Sequence, residues 1–125
     1  MKKCTIFCDI DGTLFEYRKF ETYKSTTPNK INTTIERINE AFKNGHSIIL
    51  TTARPGYLRN HTQRELSGAN VKYHRLIMGI KRGTRILIND NSEPTIDRAH
   101  AFNLIRNEGM TNKDQELFNS LCNIE

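Results

Sequence analysis

One stretch constrains this chain more than any other: the apolar run Ile6-Phe7-Cys8 breaks at Asp9-Ile10-Asp11-Gly12-Thr13 into a turn that carries two carboxylates. Cys4 to Asp9 has the make-up of a strand, Ile10 starts the turn, and Gly12 lets the backbone reverse beside a ligand. Asp9 and Asp11 then face one small volume at a strand end. Two anions so close repel unless a cation or a shared proton relieves them, so the pair implies Mg2+ more readily than a bare acid/base dyad. Oxygen donors alone favour a hard ion over zinc. The plain alternative is an Asx turn closing a strand-to-helix loop, where Asp and Gly serve backbone needs alone.

The chain alternates strand and helix patterns without repeats, low-complexity tracts or linkers. Its 125 residues (1–125) therefore read as one domain with a modest core. Apolar runs predict strands at about 4–9, 46–51, 71–78, 85–89 and 100–105. Ile31, Ile35, Ile38 and Phe42 fall at helical spacing between Pro28 and Gly45, which predicts a helix over 29–44. Further helices are expected at about 57–67 and from Thr111 to Cys122, the latter with Leu117, Phe118 and Leu121 inward. The expected fold is α/β, a three-layer sandwich on a mostly parallel sheet, with ligand at the carboxyl ends of the strands. One spacing resists this scheme. Between Met78 and Arg85 only six residues remain, too few for the helical crossover that joins parallel strands.

No apolar segment approaches the roughly 20 residues that span a bilayer. Met1-Lys2-Lys3 runs straight into the strand bearing Asp9, so a cleaved leader would take the site with it. The cysteines number three; Cys4 and Cys8 share the first strand as small buried hydrophobes, and the expected compartment is the cytoplasm. No second cysteine pair completes a zinc site, and His46, His61, His74 and His100 show no metal-ligand spacing.

The string Asp9-x-Asp11-Gly12-Thr13 after an apolar strand resembles the first signature of the haloacid dehalogenase-like (HAD) superfamily. The resemblance implies a Rossmannoid αβα core and covalent phosphotransfer, with Asp9 attacking phosphorus, Asp11 as general acid then base, and Gly12 and Thr13 contacting substrate. Three more motifs of that family have candidates. The strand His46 to Thr51 with Thr52-Ala53-Arg54 resembles the second, so Thr52 would offer a phosphate-binding hydroxyl and Arg54 a bidentate contact. Ordinary β-branched strand residues and a solvated arginine remain the alternative. Lys81 and Arg82 both qualify as the third-motif cation; Lys81 is favoured as catalytic and Arg82 as its neighbour. Arg85 to Asn91 resembles the acidic fourth motif, with Asp90 as a third Mg2+ ligand beside Asp9 and Asp11; Asn89 stands where relatives commonly carry Asp or Gly. The likeness spans roughly residues 4–108. GHSIILTTARP and LIMGIKRGTRILIND further look like a small phosphatase branch found near capsule or sugar-nucleotide metabolism.

Only about 15 residues, 14–28, separate the first turn from the first helix, so the resemblance implies a minimal cap: a short flap bearing Tyr17, Arg18, Lys19, Tyr23 and Lys24, with Arg18 toward substrate. Net charge is +5, a mild basic excess. The expected function is a Mg2+-dependent phosphomonoesterase that hydrolyses a small phosphorylated metabolite through an aspartyl-phosphate. A polynucleotide 3'-phosphatase is the second reading, and a non-catalytic binding module of the same fold the third. The expected partner is the small substrate, with nucleic acid as second choice and no membrane. An open site would also suit completion by a second subunit.

Overall fold

The computed structural model describes residues 3–125. Three parallel strands form the sheet: β1 (Thr5–Asp9), β2 (Ser47–Thr51) and β3 (Arg75–Ile77), with β2 in the centre. The register pairs Asp9 with Thr51 and Thr51 with Ile77, which brings the three carboxyl ends level. Along β2 the side chains alternate, and Ile48 and Leu50 are fully buried. They join Cys8, Ile10 and Leu76 in one core.

Helix α1 (Asn32–Lys43) packs on β2 and on α3 (Asn112–Leu121). Its buried face is Thr34, Ile35, Ile38 and Ala41; of the predicted stripe, Ile35 and Ile38 lie on it, Ile31 is buried just before the helix, and Phe42 is only partly buried. Each aliphatic chain so buried contributes about 2 kcal/mol. The helix stops in a Schellman motif: Gly45, at φ +90°, and His46 donate to the carbonyls of Phe42 and Ala41. Helix α3 begins with a capping box between Thr111 and Asp114 and buries Phe118, which meets Phe102 edge to face at 6.0 Å. Leu117, expected inward, is half exposed, and Phe118 is the buried residue of this helix, which packs on α1. Helix α2 (Arg59–Gly68) follows a 3-10 turn at Gly56–Leu58 and buries Thr62 and Leu66.

Parallel strands with helices between them make this the Rossmannoid α/β fold that the sequence predicts. The sheet is smaller than expected. Only Arg75–Ile77 of the 71–78 run is strand, and residues 78–111 contain no regular element. The strands expected at 85–89 and 100–105 are therefore absent. Ile86, Leu87 and Ile88 lie exposed, and β1 stays an edge strand with Phe7 59 % accessible. The short connection explains this: the six residues 79–84, with Gly79 and Gly83 at positive φ, cannot cross the sheet to lay a parallel partner beside β1. Among the described residues no helix is long and apolar enough to cross a membrane.

Candidate active site

The turn after β1 wraps around one carbonyl. Thr13, Leu14 and Phe15 all donate to the Ile10 oxygen, and Gly12 donates back to Phe15 at 2.7 Å. Gly12 sits at φ +89°, where a side chain is strained, and a Cβ there would crowd the Arg106 stem at 3.3 Å. This tight reversal presents Asp9 and Asp11 to one cavity of about 250 Å3 above the carboxyl ends of the strands. Thr52, Ala53 and Arg54 from the end of β2 form a second wall. Tyr17, Phe20 and Tyr23 of the flap form a third, and Arg82, Gly83, Arg85 and Arg106 a fourth.

The two carboxylates differ in their surroundings. Asp9 accepts from the Thr13 hydroxyl at 3.2 Å. Burial raises its pKa above the ordinary value and Asp11 adds to the rise, against the pull of Thr13, the Ile10 backbone and Arg85. Asp11 instead is clamped by Arg54, whose Nη2 and Nε donate to its two oxygens at 2.8 and 2.9 Å, while the Tyr23 hydroxyl donates to Oδ2 at 3.1 Å. Burial and the Asp11 charge push the Tyr23 phenol up to about 12, so it stays a donor.

Arg54 does not reach for a ligand. Its side chain is fully buried between Asp11 and Glu65, with Nη1 at 2.7 Å from Glu65 and 3.0 Å from the Thr62 hydroxyl, and it stacks on the Tyr23 ring at 4.4 Å. Burial alone would lower its pKa, but Asp11 and Glu65 outweigh that and hold it charged. Arg18 likewise spends its guanidinium on Glu65 at 2.9 Å and on the Thr26 carbonyl at 3.0 Å. It ties the flap to α2 and does not line the cavity. The flap is no loose loop: Leu14, Phe15 and Tyr23 are buried, and Glu16 donates to Asn29.

Thus Asp9, Asp11, Thr52, Arg54 and Arg82 meet at one cavity, whereas Gly12, Thr13, Arg18, Lys81 and Asp90 do not line it. Gly12 and Thr13 shape the turn behind Asp9. Arg82 and Lys81 are both exposed; Arg82 lines the cavity, with Nη1 at 3.3 Å from the Tyr17 hydroxyl, and Lys81 does not. Asp90 is 80 % accessible and pairs with Arg98 at 3.1 Å. Sequence reading missed Glu65, Thr62 and Arg106. The first two lie on the α2 face that buries Leu66, a helical spacing from Thr62 that marked core rather than chemistry. Arg106 had no motif around it; in the fold it lies 4.3 Å over the Tyr17 ring, and the adjacent Asn107 bonds to Gly12 and Tyr17.

A divalent ion suits this donor set. Asp11 is ion-paired to Arg54, whereas Asp9, exposed at the end of β1, makes no ion pair among the described residues and is open to a cation. Asp9 and Asp11 would hold the ion; Asp90 in its present pairing would not reach it.

A family model described as haloacid dehalogenase-like hydrolase matches residues 6–100. The chain belongs to that family. No curated protein matches it. Among solved structures it is similar to a chain of the Pnkp1/Rnl/Hen1 complex, with 25 % identity and a TM-score of 0.54 over 72 % of this chain. It spans only 31 % of the length of that chain. It is also similar to a structural-genomics target from Vibrio cholerae, with 15 % identity and a TM-score of 0.53, covering 94 % of this chain and 98 % of that one. This second likeness is one of fold.

Proposed function

We propose that this HAD-like hydrolase is a Mg2+-dependent phosphomonoesterase working through an aspartyl-phosphate on Asp9. The observation that supports it is the division of labour at the end of β1: among the described residues Asp9 makes no ion pair, and it shares a cavity with Arg82, Arg85 and Arg106. A phosphate monoester dianion would be drawn to those guanidinium groups, and the Thr52 hydroxyl on the cavity wall would donate to it. Mg2+ bound by Asp9 and Asp11 would screen the phosphoryl oxygens. An Asp9 oxygen then attacks phosphorus as the ester oxygen leaves; Asp11, protonated from solvent on an oxygen released by Arg54 or Tyr23, would supply the proton that the leaving oxygen takes. In the second displacement Asp11 takes a proton from water, which attacks the aspartyl-phosphate and frees Asp9. Arg54 and Tyr23 orient the Asp11 carboxylate that takes up this proton. Arg82 takes the place in this scheme that the sequence favoured for Lys81. Asp90 enters as a third metal ligand only with a rearrangement that breaks its pair with Arg98.

The substrate in this reading is a small phosphorylated metabolite such as a sugar phosphate, in keeping with the small cavity. One observation favours the second reading, a polynucleotide 3'-phosphatase: Phe20, an exposed ring, stands at the mouth of the cavity beside Arg82, Arg85 and Arg106, and rings stack on bases. Phosphate release with and without Mg2+ from sugar phosphates, nucleotides and 3'-phosphorylated oligonucleotides separates the two, with Asp9→Asn as the blank. Metal-dependent release from one class identifies the substrate family. Silence across all of them would leave a non-catalytic binding module of this fold.

A further inference from the structure

At the opposite end of β1 from the cavity, three side chains from distant parts of the chain converge. Cys4 precedes β1, His46 precedes β2, and Cys122 caps α3; their sulfur and ring-nitrogen atoms lie within 4.8 Å of one another. His46 and Cys122 are buried, and Cys4 is partly accessible. The trio has the donor atoms of a soft-metal centre, but the imidazole is already committed. Nδ1 accepts from the Cys4 amide at 2.9 Å, so the proton is on Nε2, which donates to the Cys122 carbonyl at 2.8 Å. A metal would have to displace one of these bonds. What the ring does instead is clamp the main chains of two cysteines side by side, 118 positions apart in sequence by the difference of 122 and 4.

We infer that Cys4 and Cys122 form a thiol pair that closes to an intramolecular disulfide on exposure to a small-molecule disulfide. His46 holds both main chains, and the sulfurs already lie within 4.8 Å of each other, so side-chain rotation is the movement that brings them to bonding distance. The roles follow from exposure. Cys4 is reachable and attacks one sulfur of the incoming disulfide, forming a mixed disulfide and expelling one thiolate. Cys122, whose thiol is pushed up to about 11 by burial and by Cys4, is the resolving partner. Its sulfur attacks the Cys4 sulfur, the second small thiolate leaves, and the two protons pass to the departing thiolates. Two protein thiols are oxidised and one disulfide is reduced to two thiols. Cys8 takes no part: burial and Asp9 push its thiol up to about 12, and its sulfur donates to the Asp9 carbonyl at 3.3 Å.

The bond would staple the first strand to the last helix across nearly the whole chain, a loop long enough to raise the melting temperature by about 10 °C. The test uses the intact protein in glutathione buffers of graded oxidised fraction. The expected result is loss of two of the three free thiols, a monomer lighter by two hydrogens, and a single cross-linked peptide pair containing Cys4 and Cys122. Cys8→Ser should still form the link, and Cys122→Ser should stop at a glutathione adduct on Cys4. Persistence of all three thiols, a link through Cys8, or a disulfide-joined dimer would overturn the inference. So would one Zn2+ that binds the reduced protein and shields both thiols from alkylation, which would make the trio a metal centre.

Discussion

The two sides of the cavity are built differently. Asp9, Asp11, Thr52 and Arg54 stand on strand ends and a turn tied together by main-chain hydrogen bonds, and Arg54 is locked into Glu65 of a helix. Arg82, Arg85 and Arg106 stand on a stretch without strand or helix, where their bonds are to Tyr17, to the carbonyls of Lys81 and Gly83, and to a ring face. Preorganisation belongs to the group that does chemistry, since small displacements there cost rate. A wall that only has to attract and release an anion works with long cationic side chains on adaptable backbone.

The sharpest way to break this contrast is at Asp9. Asp9→Asn is expected to lower phosphate release by about 1,000-fold or more, the scale set by losing a nucleophile, with the melting temperature unchanged. Turnover at the parent rate would remove the covalent mechanism.

Glu65→Gln tests whether the rigid wall depends on its ion-pair network. It leaves Arg54 and Arg18 short of a charge partner and should cost about 3 kcal/mol in urea unfolding. Burial would raise the Glu65 carboxyl, but Arg18 and Arg54 hold it below its ordinary 4.5. A depressed folded value stabilises above the unfolded one, so this contribution is complete above about pH 5 and fades as pH falls through the folded value. The parent should lose stability in that acid window and Glu65→Gln should not; parallel curves would show that the network carries no linkage.

On the adaptable wall the effects are smaller. Arg82→Ala should raise KM about tenfold with little change in Tm, while Lys81→Ala leaves both unchanged. Equal losses from the two would mean that both cations reach the phosphate. Smallest of all is Ile88→Ser, expected within about 0.5 kcal/mol of the parent because the side chain is 92 % accessible. Ile48→Ala should cost about 3 kcal/mol in the same assay. Similar costs at both positions would show residues 85–89 packed as a strand after all.

What could be read from the sequence follows the same division. The stripe of Ile35 and Ile38, Pro28 before it and Gly45 after it place α1 within three residues of its observed bounds, because spacing and caps are local facts. The Asp9 to Thr13 turn was legible for the same reason. Ile86-Leu87-Ile88 misled because strand composition says nothing about whether a partner can be reached, and the six-residue connector before it was the contrary signal. Arg54 looked like a ligand cation since nothing at its own position announces Glu65, eleven residues on by the difference of 65 and 54. His46 showed no metal-ligand spacing, yet it is wholly buried beside two cysteines that only the fold brings together.

The flap has an optical consequence. The chain contains no tryptophan and four tyrosines, and two of these, Tyr17 and Tyr23, lie at the cavity beneath the guanidinium groups of Arg106 and Arg54. Near-ultraviolet emission from the unlabelled protein is therefore a built-in gauge of occupancy, weighted toward the residues that a bound phosphate ester would disturb.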